Sequence, residues 1–171
     1  WDSSDEKTID LANPTATDGV SVQNGTITIT SGGTYRLTGE YSGQVKIEAA
    51  KTDTVRLVLD NAKITNSTGA AINVVSAAEA IIYTAAGTTN TVADEANYTA
   101  TGDDDPDAAI YSTANLTLAG EGSLSVEGAY EEGVHTTGGL VIASGTLEVN
   151  AANTGIKGKD YVDITGGLVH V

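Results

Sequence analysis

The chain has 171 residues, with 23 Asp and Glu against 8 Lys and Arg and a formal net charge of −15. Such an acidic surface is repelled by nucleic-acid phosphates and by anionic lipid, so we expect no nucleic-acid partner and no membrane insertion. The absence of cysteine excludes disulfide frameworks and thiolate metal sites, and two histidines are too few for a multi-histidine centre. The length suits one domain with a core of its own.

Short segments with alternating apolar and polar residues follow one another along the chain. After a polar opening over residues 1–18, they lie at residues 26–30, 44–48, 54–59, 80–82, 116–118, 140–142 and 162–164. Alternation at a period of two is typical of half-buried β-strands. No segment carries the apolar periodicity of a ten-residue amphipathic helix. The sequence therefore predicts an all-β fold.

The spacing of these segments indicates a repeat. Leu116, Leu140 and Val162 are separated by 24 and 22 residues, and Ile110, Val134 and Ile156 repeat that spacing. Upstream, Ile27, Val55 and Ile81 are separated by 28 and 26 residues. Such a repeat is typical of a β-solenoid, whose coils stack about 4.8 Å apart, and a β-sandwich lacks it. We predict a single-stranded parallel β-helix of five or six coils over residues 19–171, with residues 1–18 as a cap or a lead-in segment.

One interval in the repeat is longer than the others. Ile81 and Leu116 are 35 residues apart, about 11 more than the neighbouring coils need, and the excess lies at about residues 94–107. Insertions into solenoids form loops on one face, frequently the binding face. This insertion is strongly acidic and includes the run DDDPD at residues 103–107. We therefore predict an acidic loop over one edge of the solenoid.

Stacking of the coils places Asp107, Glu131 and Asn153 in one column, because each lies three residues before an apolar landmark. Glu132 flanks this column, and Asp103 and Asp105 are close enough in sequence to fold over its end. Neighbouring carboxylates repel one another unless a cation lies between them, and Ca²⁺ prefers six to eight oxygen ligands. These six residues are therefore the predicted Ca²⁺ ligands. The alternative is a solvated acidic loop without an ion.

A second column holds Tyr111, His135 and Lys157. Lys157 and Lys159 are the only clustered cations in the second half of the chain, so they are candidates to pair with a uronic acid carboxylate. Tyrosine rings can stack on sugars. The predicted ligand-binding residues are Lys157, Lys159, Asp160, Tyr111, His135 and Tyr130, and Tyr161 is a further candidate ring. We interpret His135 as an exposed turn residue rather than a base; the alternative for the whole column is a solubilising turn.

Six motifs, in order, cover the chain from about residue 18 to its end. They are GTYRLTG (33–39), VRLVLDN (55–61), GTTN (87–90), DAAIYS (107–112), LTLAGEGSL (116–124) and GIKGKD (155–160). In these motifs the chain resembles the bacterial surface β-helix proteins that bind carbohydrate and contain calcium, typified by a clostridial binder of acidic sugars. It departs from that family where Glu132 and Thr154 replace the Asp of an Asp-Gly-Ile turn.

The resemblance implies a right-handed parallel β-helix that is exported, contains Ca²⁺ and binds acidic or plant cell-wall polysaccharide without catalysis. We therefore predict an extracellular or cell-surface, calcium-assisted carbohydrate-binding domain. One alternative is an adhesin stalk without sugar affinity. Another is a polysaccharide lyase-like enzyme, because such lyases share the fold and Lys157, Lys159 or His135 could act as a base. The last residues, 167–171, have no polar cap, so we expect further coils or another domain to follow.

Overall fold

The computed structural model describes residues 1–171, which form eighteen β-strands and one 3-10 helix, Ser3–Asp5. Almost every strand pairs in parallel with the strand one coil away, so the chain is an all-β parallel solenoid. This confirms the predicted class. None of its helices is long and apolar enough to cross a membrane.

The first face of the solenoid carries seven strands, one for each turn. In order along the axis they are β1 (Glu6–Asp10), β4 (Gly33–Ser42), β6 (Thr54–Asn66), β8 (Glu79–Thr84), β11 (Asn115–Gly120), β14 (Gly139–Ile142) and β17 (Tyr161–Ile164). The solenoid thus has about seven turns, where five or six were expected. The difference arises because the polar opening contributes β1, which pairs with β4 and forms a turn of its own.

The C-terminal parts of β4 and β6 are the first strands of the second face. It then carries β9 (Thr89–Asp94), β12 (Ser123–Gly128), β15 (Thr146–Ala151) and β18 (Leu168–His170). The long strands β4 and β6 serve both faces because they bend at Gly39 and Asn61, which both have positive φ. Asparagine is one of the few non-glycine residues that adopt this conformation readily.

The third face carries the strands that later position the site. They are β2 (Val20–Gln23), β3 (Thr26–Ile29), β5 (Gln44–Glu48), β7 (Ile72–Ser76), β10 (Ala108–Ser112), β13 (Glu132–Thr136) and β16 (Ile156–Gly158). At one end β2 and β3 form an antiparallel hairpin, which departs from the fully parallel arrangement expected. The cause is local: Asn24 and Gly25 both have positive φ, as a two-residue hairpin turn requires.

The core lies between the three faces and contains 34 buried apolar residues, chiefly Ile, Val, Leu and Ala. The ladder pairs Leu116 with Leu140 and Leu140 with Val162, as the 24- and 22-residue spacings predict. The upstream spacing was wrong: Ile27 pairs with Val45 on the third face. Val55 pairs with Gly33 and Ala80 on the first face. Alternation looks the same on every face, so it does not show which face a strand joins.

The acidic segment, residues 95–107, connects β9 to β10 and contains no strand. In the next turn the same corner is crossed by residues 129–131 alone. The ten additional residues rise from the corner between the second and third faces and place Asp107 immediately before β10.

Candidate functional site

The outward side of the third face carries a continuous ladder of side chains. The register pairs Tyr111 of β10 with His135 of β13, and His135 with Lys157 of β16, which is the column that the spacing predicts. In the other direction Tyr111 pairs with Asn73, and Asn73 with Lys46. Because side chains alternate along a strand, the inward neighbours Ile110 and Val134 are fully buried in the core.

A charged cluster lies where the acidic segment meets this ladder. His135 Nδ1 lies 2.5 Å from Asp107 Oδ1 and 3.1 Å from Glu132 Oε2. Lys157 Nζ is 2.8 Å from Glu132 Oε1 and 3.9 Å from Asp107 Oδ2. Only 4% of the Glu132 side chain is exposed, and its Oε2 accepts no hydrogen bond. Residues from three successive turns therefore converge on one carboxylate that is almost fully removed from solvent.

The cluster perturbs the protonation of its neighbours. The hydrogen bond to Glu132, reinforced by the negative charges of Glu132 and Asp107, raises the pKa of the Lys157 ammonium despite some burial. Burial raises the pKa of the Tyr111 hydroxyl, and the charges of Asp107 and Asp104 add to that shift. Lys157 is therefore held as a cation, and Tyr111 as a neutral phenol.

The position of His135 corrects the prediction of an exposed turn residue. His135 lies inside β13 and only 8% of the residue is exposed, because Asp107, Glu132 and the Tyr111 ring lie against its imidazole. Tyr111 is 6% exposed, packs with Ala70 and Ala108, and meets the His135 ring edge-on. Its ring therefore has little free surface for a sugar.

The remaining predicted residues do not join the cluster. Glu131, Asn153, Asp103, Lys159 and Asp160 are exposed, and Asp160 lines a separate hollow at the corner between the third and first faces. Asp105 accepts a hydrogen bond from the backbone N–H of Gly102, within its own segment. Of the six predicted metal ligands, the structure brings together only Asp107 and Glu132.

Asp94, at the end of β9, fastens the acidic segment to the solenoid. Its carboxylate accepts hydrogen bonds from the backbone N–H groups of Ala129 and Tyr130, at 2.5 and 3.2 Å, and from the Tyr98 hydroxyl at 2.6 Å. Burial raises the pKa of Asp94, although these hydrogen bonds oppose the shift. The pKa of Tyr98 is also raised, first by burial and then by its bond to Asp94.

Sequence reasoning missed the role of Asp94, although a signal was present. Asn90, Val92 and Asp94 occupy the inward positions of β9, and all three are buried. A carboxylate at an inward position is costly to bury unless hydrogen bonds satisfy it. Its place in the alternation therefore indicated a structural or functional role.

A polar groove of about 630 Å³ runs beside the acidic segment, along the corner between the second and third faces. Its amide and hydroxyl side chains come from successive turns and include Asn24, Thr26, Ser42, Gln44, Thr65, Asn66, Ser67, Thr68, Asn73 and Thr99. Tyr98 and Pro106 of the acidic segment complete one wall, and Glu95 is its one charged residue. Sequence reasoning missed this groove, because its shape depends on the path of an irregular segment.

Hydrogen bonds fix the shape of the groove. Gln44 Nε2 and Asn66 Nδ2 both donate to the carbonyl oxygen of Ala70, each at 2.9 Å. The backbone N–H of Thr99 donates to the carbonyl oxygen of Thr68 at 3.1 Å and ties the acidic segment to the opposite wall. The groove is therefore largely preformed, as ligand sites usually are.

The residues that converge at the charged cluster do not fit Ca²⁺. Two carboxylates reach it, one of them already paired with the Lys157 ammonium, and the third converging donor is an imidazole nitrogen. Ca²⁺ requires six to eight oxygen ligands.

Together these features define a parallel β-solenoid with a preformed polar groove and a buried charged cluster on one edge. Residues 23–171 match the model of the family described as carbohydrate-binding domain-containing protein, so the chain belongs to that family. A carbohydrate-binding domain-containing protein of Acetivibrio thermocellus is 35% identical over 145 residues, or 83% of this chain and 51% of that protein. The chain thus spans about half the length of this curated relative.

A solved structure is also similar over nearly the whole chain. It is a gadolinium derivative of a polysaccharide lyase-like protein from C. thermocellum, with a TM-score of 0.86 and 30% identity. The alignment covers 96% of this chain and 80% of that protein. The family supports a sugar-binding role for this chain.

Proposed function

We propose that the chain is a non-catalytic domain that binds a cell-wall polysaccharide outside the cell, along the polar groove. The observation that carries this proposal is the groove itself, since its amide and hydroxyl side chains suit a ligand rich in hydroxyl groups. Hydrogen bonds to these side chains would fix the sugar rings in register with the turns of the solenoid. The groove volume lies within the range of about 300–1,000 Å³ that is usual for ligand sites.

The charge of the chain determines which class of polysaccharide can bind without a divalent cation. The chain carries −15, and the groove itself contains Glu95 but no cation, so a polyuronate would be repelled. We therefore propose that acidic polysaccharide binds only when a divalent cation offsets this repulsion, and that a neutral glucan needs none. Calcium assistance remains a prediction from the sequence.

Blocking the groove tests the proposal. An added Cβ at Gly69 meets Asn66 and Gln44 only at ordinary contact distances of 3.6 and 4.0 Å, so Gly69→Trp can fill the groove without disturbing the backbone. Ala152→Trp, exposed on the same edge beyond the groove, is the matched control. We expect Gly69→Trp to abolish binding in calorimetric titrations with a neutral glucan and with polygalacturonate, each with and without Ca²⁺. Equal binding by both variants would overturn the proposal.

The lyase-like alternative rests on His135 as the candidate base, because His135 lies in the cluster with Asp107, Glu132 and Lys157. Its near-complete burial opposes that role, because a base must reach the C5 proton of a uronate. Incubation with polygalacturonate, followed by the ultraviolet absorbance of unsaturated products, separates the two functions. An absorbance increase that His135→Gln removes would establish the enzyme.

A further inference from the structure

We propose that Asp107, Glu132 and His135 form a binding site for a divalent transition-metal ion of the Zn²⁺ type. The site is separate from the polar groove and does not depend on the proposed sugar binding. One ligand atom from each residue, a carboxylate oxygen or a ring nitrogen, lies within 4.8 Å of the other two.

The donor set selects the metal. Imidazole nitrogen suits Zn²⁺ and its transition-metal neighbours, whereas Ca²⁺ and Mg²⁺ prefer oxygen alone. One nitrogen and two carboxylate oxygens are ligands that Zn²⁺ accepts, and three protein ligands leave the fourth tetrahedral position open. That position is free for water or a hydroxyl group of a bound molecule.

The distances require only small movements. Donors of a tetrahedral Zn²⁺ site are about 3.4 Å apart, given metal–ligand bonds of about 2.1 Å. The Glu132 Oε2 to His135 Nδ1 distance of 3.1 Å is close to that value, while the Asp107 Oδ1 to His135 Nδ1 distance of 2.5 Å must increase. Asp107 can supply this movement, because it ends the acidic segment and its side chain is partly exposed.

Glu132 gives the second, independent observation. Its Oε2 is buried, accepts no hydrogen bond and faces His135 Nδ1, whose hydrogen-bonding contact is with Asp107. A buried carboxylate oxygen without a partner is costly, and native structures rarely leave one so. A metal ion between Oε2 and Nδ1 would satisfy it.

Lys157 competes with the metal but does not occupy its place. The Lys157 ammonium contacts Glu132 Oε1 and leaves Oε2 free, and 45% of its side chain is exposed. A bound cation would repel the ammonium, which can swing into solvent. Replacing Lys157 should therefore tighten metal binding, which is the reverse of what loss of a ligand would do.

The test is a calorimetric titration of the metal-stripped chain with Zn²⁺ and, in parallel, with Ca²⁺. We expect one Zn²⁺ per chain and no displacement by excess Ca²⁺. His135→Gln and Asp107→Asn should each weaken Zn²⁺ binding about 100-fold or more, and Lys157→Gln should strengthen it. His170→Gln is the matched control, since it replaces the other histidine, exposed in the last turn.

Circular dichroism shows whether each variant folds, and the partly exposed Asp107 gives a test even if the buried His135→Gln does not. Ligand-field absorption of the Co²⁺-substituted chain, lost in Asp107→Asn but kept in His170→Gln, would report the site directly. The proposal is overturned if the wild-type chain does not bind Zn²⁺, or if Asp107→Asn binds it as tightly as wild type does.

Discussion

Tyr98 and Tyr130 stack their rings at a centroid distance of 4.1 Å, with 12° between the ring planes. Tyr98 belongs to the acidic segment, and Tyr130 lies in the corner of the following turn. The stack and the buried carboxylate of Asp94 therefore act together to hold the acidic segment against the solenoid. Because Tyr98 also lines the polar groove, the order of the segment and the shape of the groove are linked.

Tyr98→Ala removes both the stack and the hydrogen bond to Asp94. An aromatic stack contributes about 0.5–1.5 kcal/mol and a hydrogen bond to a charged group about 1.5–3 kcal/mol, so the acidic segment should detach before the core unfolds. We expect faster proteolysis within residues 95–107 and weaker polysaccharide binding. Tyr98→Phe keeps the stack and should give a smaller effect; Tyr161→Ala, at an exposed ring, should give none. Unchanged proteolysis in Tyr98→Ala would contradict this linkage.

The raised pKa of Asp94 predicts a pH dependence of stability. The Asp94 carboxyl keeps its proton to a higher pH in the folded chain than in the unfolded chain, where an Asp has a pKa of about 3.9. Between these two pKa values the folded state binds more protons, so this contribution to stability is present at acid pH and falls as the pH rises. Wild type should therefore lose stability relative to Asp94→Asn from about pH 4 upward, measured by urea unfolding. A stability difference between wild type and Asp94→Asn that stays constant across this pH range would contradict the assignment.

The ion pair of Glu6 predicts a pH dependence of stability opposite to that of Asp94. Arg36 forms a bidentate hydrogen-bonded ion pair with Glu6, at 2.6 and 3.1 Å, and lowers the pKa of that carboxyl. The ion pair stabilises the folded chain at pH values above the pKa that Glu6 has in the unfolded chain. This stabilisation is lost as the pH falls through the lower pKa that Glu6 has in the folded chain. Glu6→Gln should cost about 1.5–3 kcal/mol at pH 7, and progressively less below about pH 4.

Glu40→Gln is the matched control for this ion pair. Glu40 is largely exposed and its oxygen lies 3.8 Å from Lys63 Nζ, so this change should cost under about 1 kcal/mol. Thermal unfolding of both variants across the pH range measures the difference. A Glu6→Gln deficit that persists at pH 3 would show that the carboxylate charge is not its cause.

The sequence predicted the later turns well because their strands and corners have nearly constant length. Ile110 pairs with Val134 and Val134 with Ile156, so the column of Tyr111, His135 and Lys157 was correct as well. The prediction was less accurate for the earlier turns. There β4 and β6 each span two faces, and a bend inside a strand leaves the alternating pattern unchanged.

The candidate site was predicted in part for a related reason. The spacing placed Asp107 in a column with Glu131 and Asn153, with Glu132 only at its flank, but Glu132 is the residue that meets Asp107, and Glu131 stays in the exposed corner. A shift of one residue at the start of a strand exchanges a buried for an exposed side chain. The burial of His135 could not be predicted, because it depends on side-chain contacts with Asp107, Glu132 and Tyr111 that the spacing does not define.

Asn90 connects the bend of β6 to the core. At zero exposure, its Oδ1 accepts from the backbone N–H of Ala62 at 2.9 Å, just after the bend at Asn61. Its Nδ2 donates to Thr88 Oγ1 and to the carbonyl oxygen of Ser123, at 2.9 and 3.1 Å. This asparagine therefore satisfies backbone groups of two neighbouring turns.

Asn90→Leu keeps the volume of the side chain but leaves the Ala62 N–H and the Ser123 carbonyl without this partner. Each buried unsatisfied group costs about 1–3 kcal/mol, so the free energy of unfolding should fall by about 2–6 kcal/mol. Asn150→Leu, an exposed substitution on β15 of the same face, should change it by less than about 1 kcal/mol. Chemical unfolding measures both variants. If Asn90→Leu were as stable as wild type, packing against Leu124 rather than hydrogen bonding would explain why this position is buried.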